Sequence, residues 1–456
     1  MFVQRGSSRS RVALAGALSV GLVFGLSACG DSDESENGAS TGASAAAIDC
    51  SPYAAFGDLK GKTVSIYTGI VTPEDTPHKE SYKPFEQCTG VTVKYEGDKA
   101  FETQILVRAE AGNPPDVAFV PQPGLLQNLV KTGKAVEAPA ETAANVDKFF
   151  GADWKAYGTV DGKFYAAPLG ANVKSLVWYS PKEFKDKGYA EPTTLDELKA
   201  LSDKIVADGG KPWCAGISSG EATGWPLTDW MEDFMLRLSG AETYDKWVKH
   251  EVPFNGPEAT AALDEVGAYL KNDKYVNGGL GDVKSIAGTT FQDAGLPILE
   301  GQCSLHRQAS FYAANFPAGT KVAKDGDIYA FYLPGKDATT KPVLGGGEFV
   351  LAFADRPEVK AFQTYLSSDV WANTKAKVSS GWVSANKGLD PANLTNPIDQ
   401  LSAGILQDPK AQFRFDGSDM MPGAVGSNSF WKQTTAWITG QDTKTTLTNI
   451  ENSWPK

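Results

Sequence analysis

Apolar residues recur along this 456-residue chain in two rhythms, one of period two and one of period three to four, and the rhythms take turns. Thr63-Val64-Ser65-Ile66-Tyr67, led in by Gly61-Lys62, is a β-branched run that reads as a strand. A polar loop continues to about Lys79. The segment holding Tyr82, Phe85 and Cys88 reads as a helix ending at Gly90, and Val91 to Tyr95 as a second strand. A helix from about Ala100 to Ala111 stops at Gly112-Asn113-Pro114-Pro115, and Asp116 to Val120 is a third strand. Strands alternating with helices predict a parallel sheet with ligand sites at the carboxyl ends of its strands. Further on, Phe164 to Pro168 and Ser175 to Tyr179 are short strands. Thr194-Leu195-Asp196-Glu197 is a capping box for a helix with Leu195, Leu198, Leu201 and Ile205 on one face, stopping at Gly209-Gly210. Val343 to Leu351 reads as a strand broken by Gly345-Gly346-Gly347, which suggests a bend or a close backbone approach. Asp355-Arg356-Pro357 then caps a helix bearing Val359, Phe362 and Leu366. No repeat of fixed period is present.

The first 28 residues stand outside this alternation. Arg5, Arg9 and Arg11 precede an apolar run from Val12 to Phe24 that is too short to span a bilayer and has the shape of an export signal. Leu26-Ser27-Ala28-Cys29 resembles the lipobox of bacterial lipoproteins, in which a small residue before the cysteine admits the peptidase and the cysteine thiol receives the lipid. The alternative is a secreted protein with an ordinary cysteine at 29. Gly30 to Ala47 offers no large side chain to bury. The expected order is therefore a signal segment 1–28, a lipidated flexible tether 29–58, and folded chain from about Leu59.

Removal of 1–28 takes three arginines and no acid from a chain of net charge −12, leaving about −15, which makes nucleic acid and anionic lipid surfaces poor partners. The remaining length exceeds what one hydrophobic core sustains, so two lobes are expected, the second from about residue 170 to 340. Besides Cys29 there are four cysteines, Cys50, Cys88, Cys214 and Cys303, an even number for an oxidising compartment. Three connectivities are possible, and order along the chain favours Cys50 with Cys88 and Cys214 with Cys303.

Catalytic and metal patterns are sparse. His78, His250 and His306 are far apart and no Cys-x-x-Cys occurs, so no metal site is expected, and no cofactor motif such as a Walker or dinucleotide loop appears. Gly216-Ile217-Ser218-Ser219-Gly220 matches a nucleophile elbow, a short pattern in a chain rich in Gly and Ser. What remains is aromatic and polar residues clustered in loops: Gly224 to Trp230, Leu305 to Phe311, and Ser429-Phe430-Trp431 after a glycine-rich polar loop. Trp230 fits a helix start packed in a core as well as a cleft, whereas Trp225, between Gly224 and Pro226, lies outside helical periodicity and fits a cleft. Trp431 can pack under the final helix or face a cleft. Flat rings beside Asp, Arg and Gln suit sugars, whose C–H faces lie on rings while hydroxyls take polar partners.

From about Lys62 to Trp454 the chain resembles the carbohydrate-binding lipoproteins of bacterial ABC importers, the maltose-binding-protein-like solute-binding proteins. The carriers are Gly90-Val91-Thr92-Val93, Gly112 to Ala118, Pro121-Gln122-Pro123-Gly124, Trp178-Tyr179-Ser180-Pro181, Pro192 to Leu198, and the last cluster ending in Phe430-Trp431. The Pro-Gln-Pro-Gly stretch, Gly224 to Trp230 and Gly417 to Gly426 further resemble the α-glucoside-binding branch. The resemblance implies an α/β fold of two lobes joined by crossing strands near Ala167 to Lys174, Leu344 to Glu348 and Ser379 to Ser384. One lobe would take 59–168 and 347–380, the other 170–345 and 382–456. It implies sugar contacts at Gly69, Thr72, Asp98, Phe101, Gln122, Asn172, Trp225, Asp229, Trp230, Arg307, Phe311, Glu348 and Trp431. It also implies a monomer that hands its sugar to an ABC permease from the outer face of the membrane and performs no covalent chemistry. The rival expectations are a glycoside hydrolase, which needs two suitably spaced carboxylates, and a surface adhesin or sensor without a closing cleft.

Overall fold

The computed structural model of the protein describes residues 49–455 except 278–281, 380, 407 and 409, and only the backbone of Asp153. The expected signal segment, Cys29 and the tether as far as Ile48 lie outside the described residues. The fold starts earlier than Leu59. Ser51–Phe56 is a 3₁₀ turn whose Tyr53 enters the core, and Cys50 is bonded to Cys88, so this part of the expected tether is built into the lobe.

The first lobe is built on a five-stranded sheet in the order Thr92–Gly97, Thr63–Thr68, Val117–Val120, Phe349–Ala352, Ala166–Pro168. Strict period two sorts its side chains onto two faces. Val64, Ile66, Val117, Phe119, Val350 and Ala352 enter one core; Tyr67, Ala118, Val120, Phe349 and Leu351 enter another. The first three strands are parallel, as their alternation with helices predicts. Phe349–Ala352 is antiparallel to both neighbours, because it is a chain returning from the second lobe and not the product of a helical crossover. The expected loop to Lys79 also holds a helix, Asp75–Ser81, closed by an i,i+4 pair of Lys79 with Asp75 at 2.6 Å and by burial of His78 and Ser81.

The second lobe carries the sheet Val276–Asn277, Trp213–Cys214, Leu305–Arg307, Leu176–Tyr179, Tyr329–Tyr332, with Leu176–Tyr179 antiparallel to both its partners. Its core includes Trp178, Trp213 and Trp247 and the long helix Trp225–Val248, which kinks at Gly240. Thr194 Oγ1 accepts from the Glu197 backbone N–H at 3.2 Å, the cap expected for Leu195–Ala207, and Glu197 reaches back to Thr193 N at 2.7 Å. At Pro357–Leu366 the residue before the helix is Arg356, which makes no side-chain cap, and Asp355 pairs with Lys360 instead.

Between the two sheets lies a third of three strands, Ala411–Phe415, Lys341–Gly346 and Asn172–Val173. Lys341–Gly346 leads through Gly347-Glu348 into the first-lobe strand, which is the break that the glycines predict. Gly347 permits a close crossing, since a Cβ there would stand 2.2 Å from the Gly170 carbonyl oxygen. Ala171 bridges Val383, bringing a third passage alongside. The two disulfides, Cys50 to Cys88 and Cys214 to Cys303, have Cα separations of 5.2 and 5.5 Å, and each stays within one lobe.

Candidate functional site

The carboxyl ends of the three parallel strands run out at Thr68, Gly97 and Val120, and the loops that follow form one wall of a cleft of about 210 Å³. Gly69, Thr72, Glu74, Lys99, Glu102 and Gln122 stand on that side. The crossing strands close the floor with Asn172, Lys174 and Gly346 to Glu348, and the second lobe supplies Ser219, Trp225, Phe291, Phe311, Asp416, Asp419 and Trp431.

The rings are arranged as a group. Trp225 is the first residue of its helix, so its side chain projects before the helical stripe begins, with Phe291 at 5.0 Å edge-on and Phe311 at 6.0 Å between centroids. Gly224 has φ of 115°, and a Cβ on it would meet the Trp431 carbonyl oxygen at 2.4 Å. The glycine thus lets the turn carrying Trp225 lie against the backbone of Trp431. Trp431 is 5% exposed, yet its ring belongs to none of the hydrophobic clusters, and its Nε1 lacks a protein acceptor. The residue is buried, and it stands in the lining of the cleft. Gln122, also 5% exposed, leaves Oε1 without a donor. A buried polar atom without a partner costs free energy, so these two atoms are placed to gain from a ligand's hydroxyls.

Eight of the thirteen residues expected to touch sugar line this cleft: Gly69, Thr72, Gln122, Asn172, Trp225, Phe311, Glu348 and Trp431. The other five are placed outside its lining. Asp98 accepts from Tyr67 Oη at 3.0 Å and from Ala100 N at 2.9 Å, opening the helix Phe101–Glu110. Phe101 points into the core with Ile105 and Ala109, backing Gly69. Trp230 stacks on Phe234 at 6.1 Å and meets Trp213 edge-on at 5.1 Å, a core position. Asp229 and Arg307 lie behind the wall in a charged lattice.

That lattice is dense. Arg307 donates from Nη1 to Asp229 at 3.1 Å, and from Nε and Nη2 to Asp233 at 2.9 and 2.5 Å. Asp233 also takes Arg237 Nη1 at 2.5 Å and Ser175 Oγ at 2.6 Å. Lys174 Nζ bonds Asp229 at 3.0 Å and Asp416 more closely, lying 5.5 Å from the Trp225 ring centre. Burial would neutralise Lys174, but Asp229 and Asp416 hold its ammonium well above the usual range. Burial likewise opposes the charge on Asp233, and Arg237 and Arg307 overcome it. Burial pushes Asp229 up to about 7 against the pull of Lys174 and Arg307, and burial with the Asp416 charge drives Glu232 up. Carboxyl oxygens of Asp229, Glu232 and Asp416 come within 4.8 Å of one another, a spacing a cation could use, but Lys174 already bonds two of them.

A second charged group flanks the cleft at the crossing strands. Burial pushes Glu74 up to about 7, with the Glu348 charge adding to it, and pushes Lys375 down to about 7 against Glu348, Glu74 and Asp399. Glu74, Lys174, Asp416 and Asp419 were absent from the sequence expectation. Only Asp416 and Asp419 had a signal, the polar glycine-rich loop before Trp431. Ser218 of the elbow-like motif pairs with Thr289 and Phe291 through its backbone, while His306 is bonded to the Cys214 carbonyl and His250 to Glu451, so no histidine is its partner.

Among the described residues no helix is long and apolar enough to cross a membrane. The chain is 39% identical over 409 residues to the alpha-glucosides-binding periplasmic protein AglE of Rhizobium meliloti (strain 1021), covering 87% of this chain and 88% of that one. It is 37% identical over 404 residues to the osmoprotective compounds-binding protein GgtB of Synechocystis sp., covering 88% and 94%. Among solved structures it superposes on the bacterial solute receptor AcbH with a TM-score of 0.72 at 21% identity, over 86% of this chain and 97% of the other. Maltose-bound MalE3 of T. maritima gives 0.68 at 18%, over 86% and 98%. These likenesses carry the two-lobed fold. The model of the bacterial extracellular solute-binding proteins matches residues 60–373, well over half of the sequence, and the chain belongs to that family of binding proteins.

Proposed function

We propose that this protein captures an α-glucoside, of the maltose or trehalose type, outside the cytoplasmic membrane and delivers it to an ABC permease. The observation that carries the reading is one cleft joining the ring group of Trp225, Phe291 and Phe311 and the Trp431 indole to Gln122, Asn172 and Glu348. The name of the relative AglE supports the sugar class. The contacts are those eight expected residues that line the cleft, joined by Glu74, Asp416 and Asp419. Lobes of about 50–168 with 347–380, and 170–345 with 382–456, would close on the sugar about the strands between them, driven by contacts better made in the closed form.

Purified protein is incubated with maltose, trehalose and sucrose while melting temperature and product are followed. Stabilisation of about 2.7 kcal/mol at a hundredfold excess over Kd, without product, is the expected result. Stabilisation by none of the three ends the α-glucoside reading, and product formation replaces a receptor by a hydrolase. The same reading gives the protein, as a monomer, a lipid on Cys29. Cys29→Ala is expected to shed sugar-binding protein into the medium, and a variant still held at the membrane removes the lipid from the proposal.

A further inference from the structure

Gly124 is the second residue of the helix Pro123–Lys131, whose Leu126 and Leu129 lie in a first-lobe core. Its backbone is ordinary helix, where glycine is a weaker helix former than alanine. What a side chain would lack there is space. A Cβ on Gly124 would stand 2.2 Å from the Met421 carbonyl oxygen and 3.2 Å from that of Asp419. Both obstacles are backbone, so a methyl group is admitted only by moving one segment away from the other.

Those carbonyls belong to the other lobe. The segment that carries them is fastened to the long helix Trp225–Val248: Glu232 accepts from the Gly417 and Ser418 backbone N–H groups at 2.8 and 2.9 Å, and Tyr244 Oη donates to the Phe415 carbonyl at 3.0 Å. One helical turn beyond Gly124, Asn128 faces the same segment, its Nδ2 3.6 Å from where a Cβ on Gly423 would be. Residues four apart share a helix face, so Gly124 and Asn128 form one strip on which the second lobe rests. Met420 adds its side chain to the core that holds Leu126 and Leu129. This meeting of the lobes adjoins the cleft. Gln122 and Asp419, each two residues ahead of the touching pair on its own segment, line the cleft from its two sides.

We infer that Gly124 is a positioning residue for sugar capture: its bare backbone lets the first-lobe helix seat on the second-lobe segment 419–421 as the lobes close, and so holds Gln122 and Asp419 on either side of the ligand. Gly124 is absent from the cleft lining and acts through this contact. The inference rests on the α-glucoside reading above and adds to it a residue that sets how long the closed form lasts.

The test is calorimetric and stopped-flow titration of the whole protein with maltose and trehalose, together with the melting temperature of the ligand-free protein. Three variants are compared with the wild type: Gly124→Ala; Asn128→Trp, a bulkier wedge at a partly exposed position on the same strip; and Gly404→Ala, a helical control whose Cβ would meet nothing within 4 Å. Gly124→Ala is expected to weaken the sugar that the wild type binds roughly tenfold or more, through faster dissociation at a nearly constant association rate. Its ligand-free melting temperature should hold or rise, because alanine favours the helix. Asn128→Trp should lose roughly threefold or more by the same route, and Gly404→Ala should stay within about twofold. A Gly124→Ala affinity within about twofold of the wild type overturns the inference and leaves the sugar reading in place. So does a lower ligand-free melting temperature in Gly124→Ala, or its failure to fold, since the contact then belongs to the resting fold and not to closure. Wild-type protein that binds neither sugar ends the α-glucoside reading and this inference with it.

Discussion

Two buried charged groups border the same cleft and solve the same problem in opposite ways. Behind the second-lobe wall, Asp233 alone accepts four hydrogen bonds, from Ser175, Arg237 and Arg307, and every guanidinium has a carboxylate in bonding range. Beside the crossing strands, Lys375 makes one hydrogen bond among the described residues, 2.5 Å to Ser379, and no ion pair. In the first group partners outweigh burial at Asp233, Arg307 and Lys174, whose charges persist, while Asp229 and Glu232 beside them are pushed up. In the second, burial dominates and Glu74 and Lys375 are both drawn to about 7. Bond density, and not the kind of residue, decides whether a buried ion is scaffold or is left available to a ligand.

The largest test of that contrast is Asp233→Asn against Glu74→Gln. Removing the Asp233 charge leaves buried Arg237 with backbone carbonyls alone and Arg307 with Asp229 alone, and is expected to cost about 3–5 kcal/mol in urea unfolding. Glu74→Gln should cost less than about 1 kcal/mol, since its carboxyl already sits close to neutrality. Equal losses would erase the distinction.

The next effect separates the wall from what stands behind it. Trp230→Ala should cost about 3–5 kcal/mol of stability, the loss for a large aromatic in a packed core. Trp431→Ala is expected to weaken sugar affinity roughly tenfold or more with a much smaller loss of stability. A drop in melting temperature at unchanged affinity would make Trp431 a core residue like Trp230.

The smallest effect is a pH slope. Burial pushes the Asp399 carboxyl up to about 8, outweighing the backbone N–H groups of Gly381 and Trp382 and the Lys375 charge. The folded protein then retains a proton that the unfolded chain releases near 3.9, so this group withdraws stability as pH rises from about 4 to 8. Asp399→Asn removes that slope. The gap in melting temperature between variant and parent should widen in the variant's favour across this window, and a constant gap would show Asp399 already ionised.

The alternation of the first-lobe strands and the cap at Thr194 were legible because local spacing alone determines them. The cleft was legible where a residue interrupts a pattern: Trp225 before a helical stripe, Glu348 after three glycines, Gln122 at a strand end. Of the five residues that stand outside the lining, four follow a pattern of their own. Phe101 repeats at Ile105 and Ala109, and Trp230 at Phe234, a spacing that belongs to a buried helix face. Arg307 alternates with Leu305 in a three-residue strand and so shares its inward side. Asp229, Asp233 and Arg237 stand four residues apart along one helix, which places opposite charges on a common face. Glu74 and Lys375 gave no such sign, since their neighbourhood is assembled from three distant segments.

The Cys50 to Cys88 bond has a mechanical meaning. Any tension arriving along the chain from before residue 50 passes into the helix Lys83–Thr89 through a covalent link, and the short turn carrying Tyr53 bears only what remains.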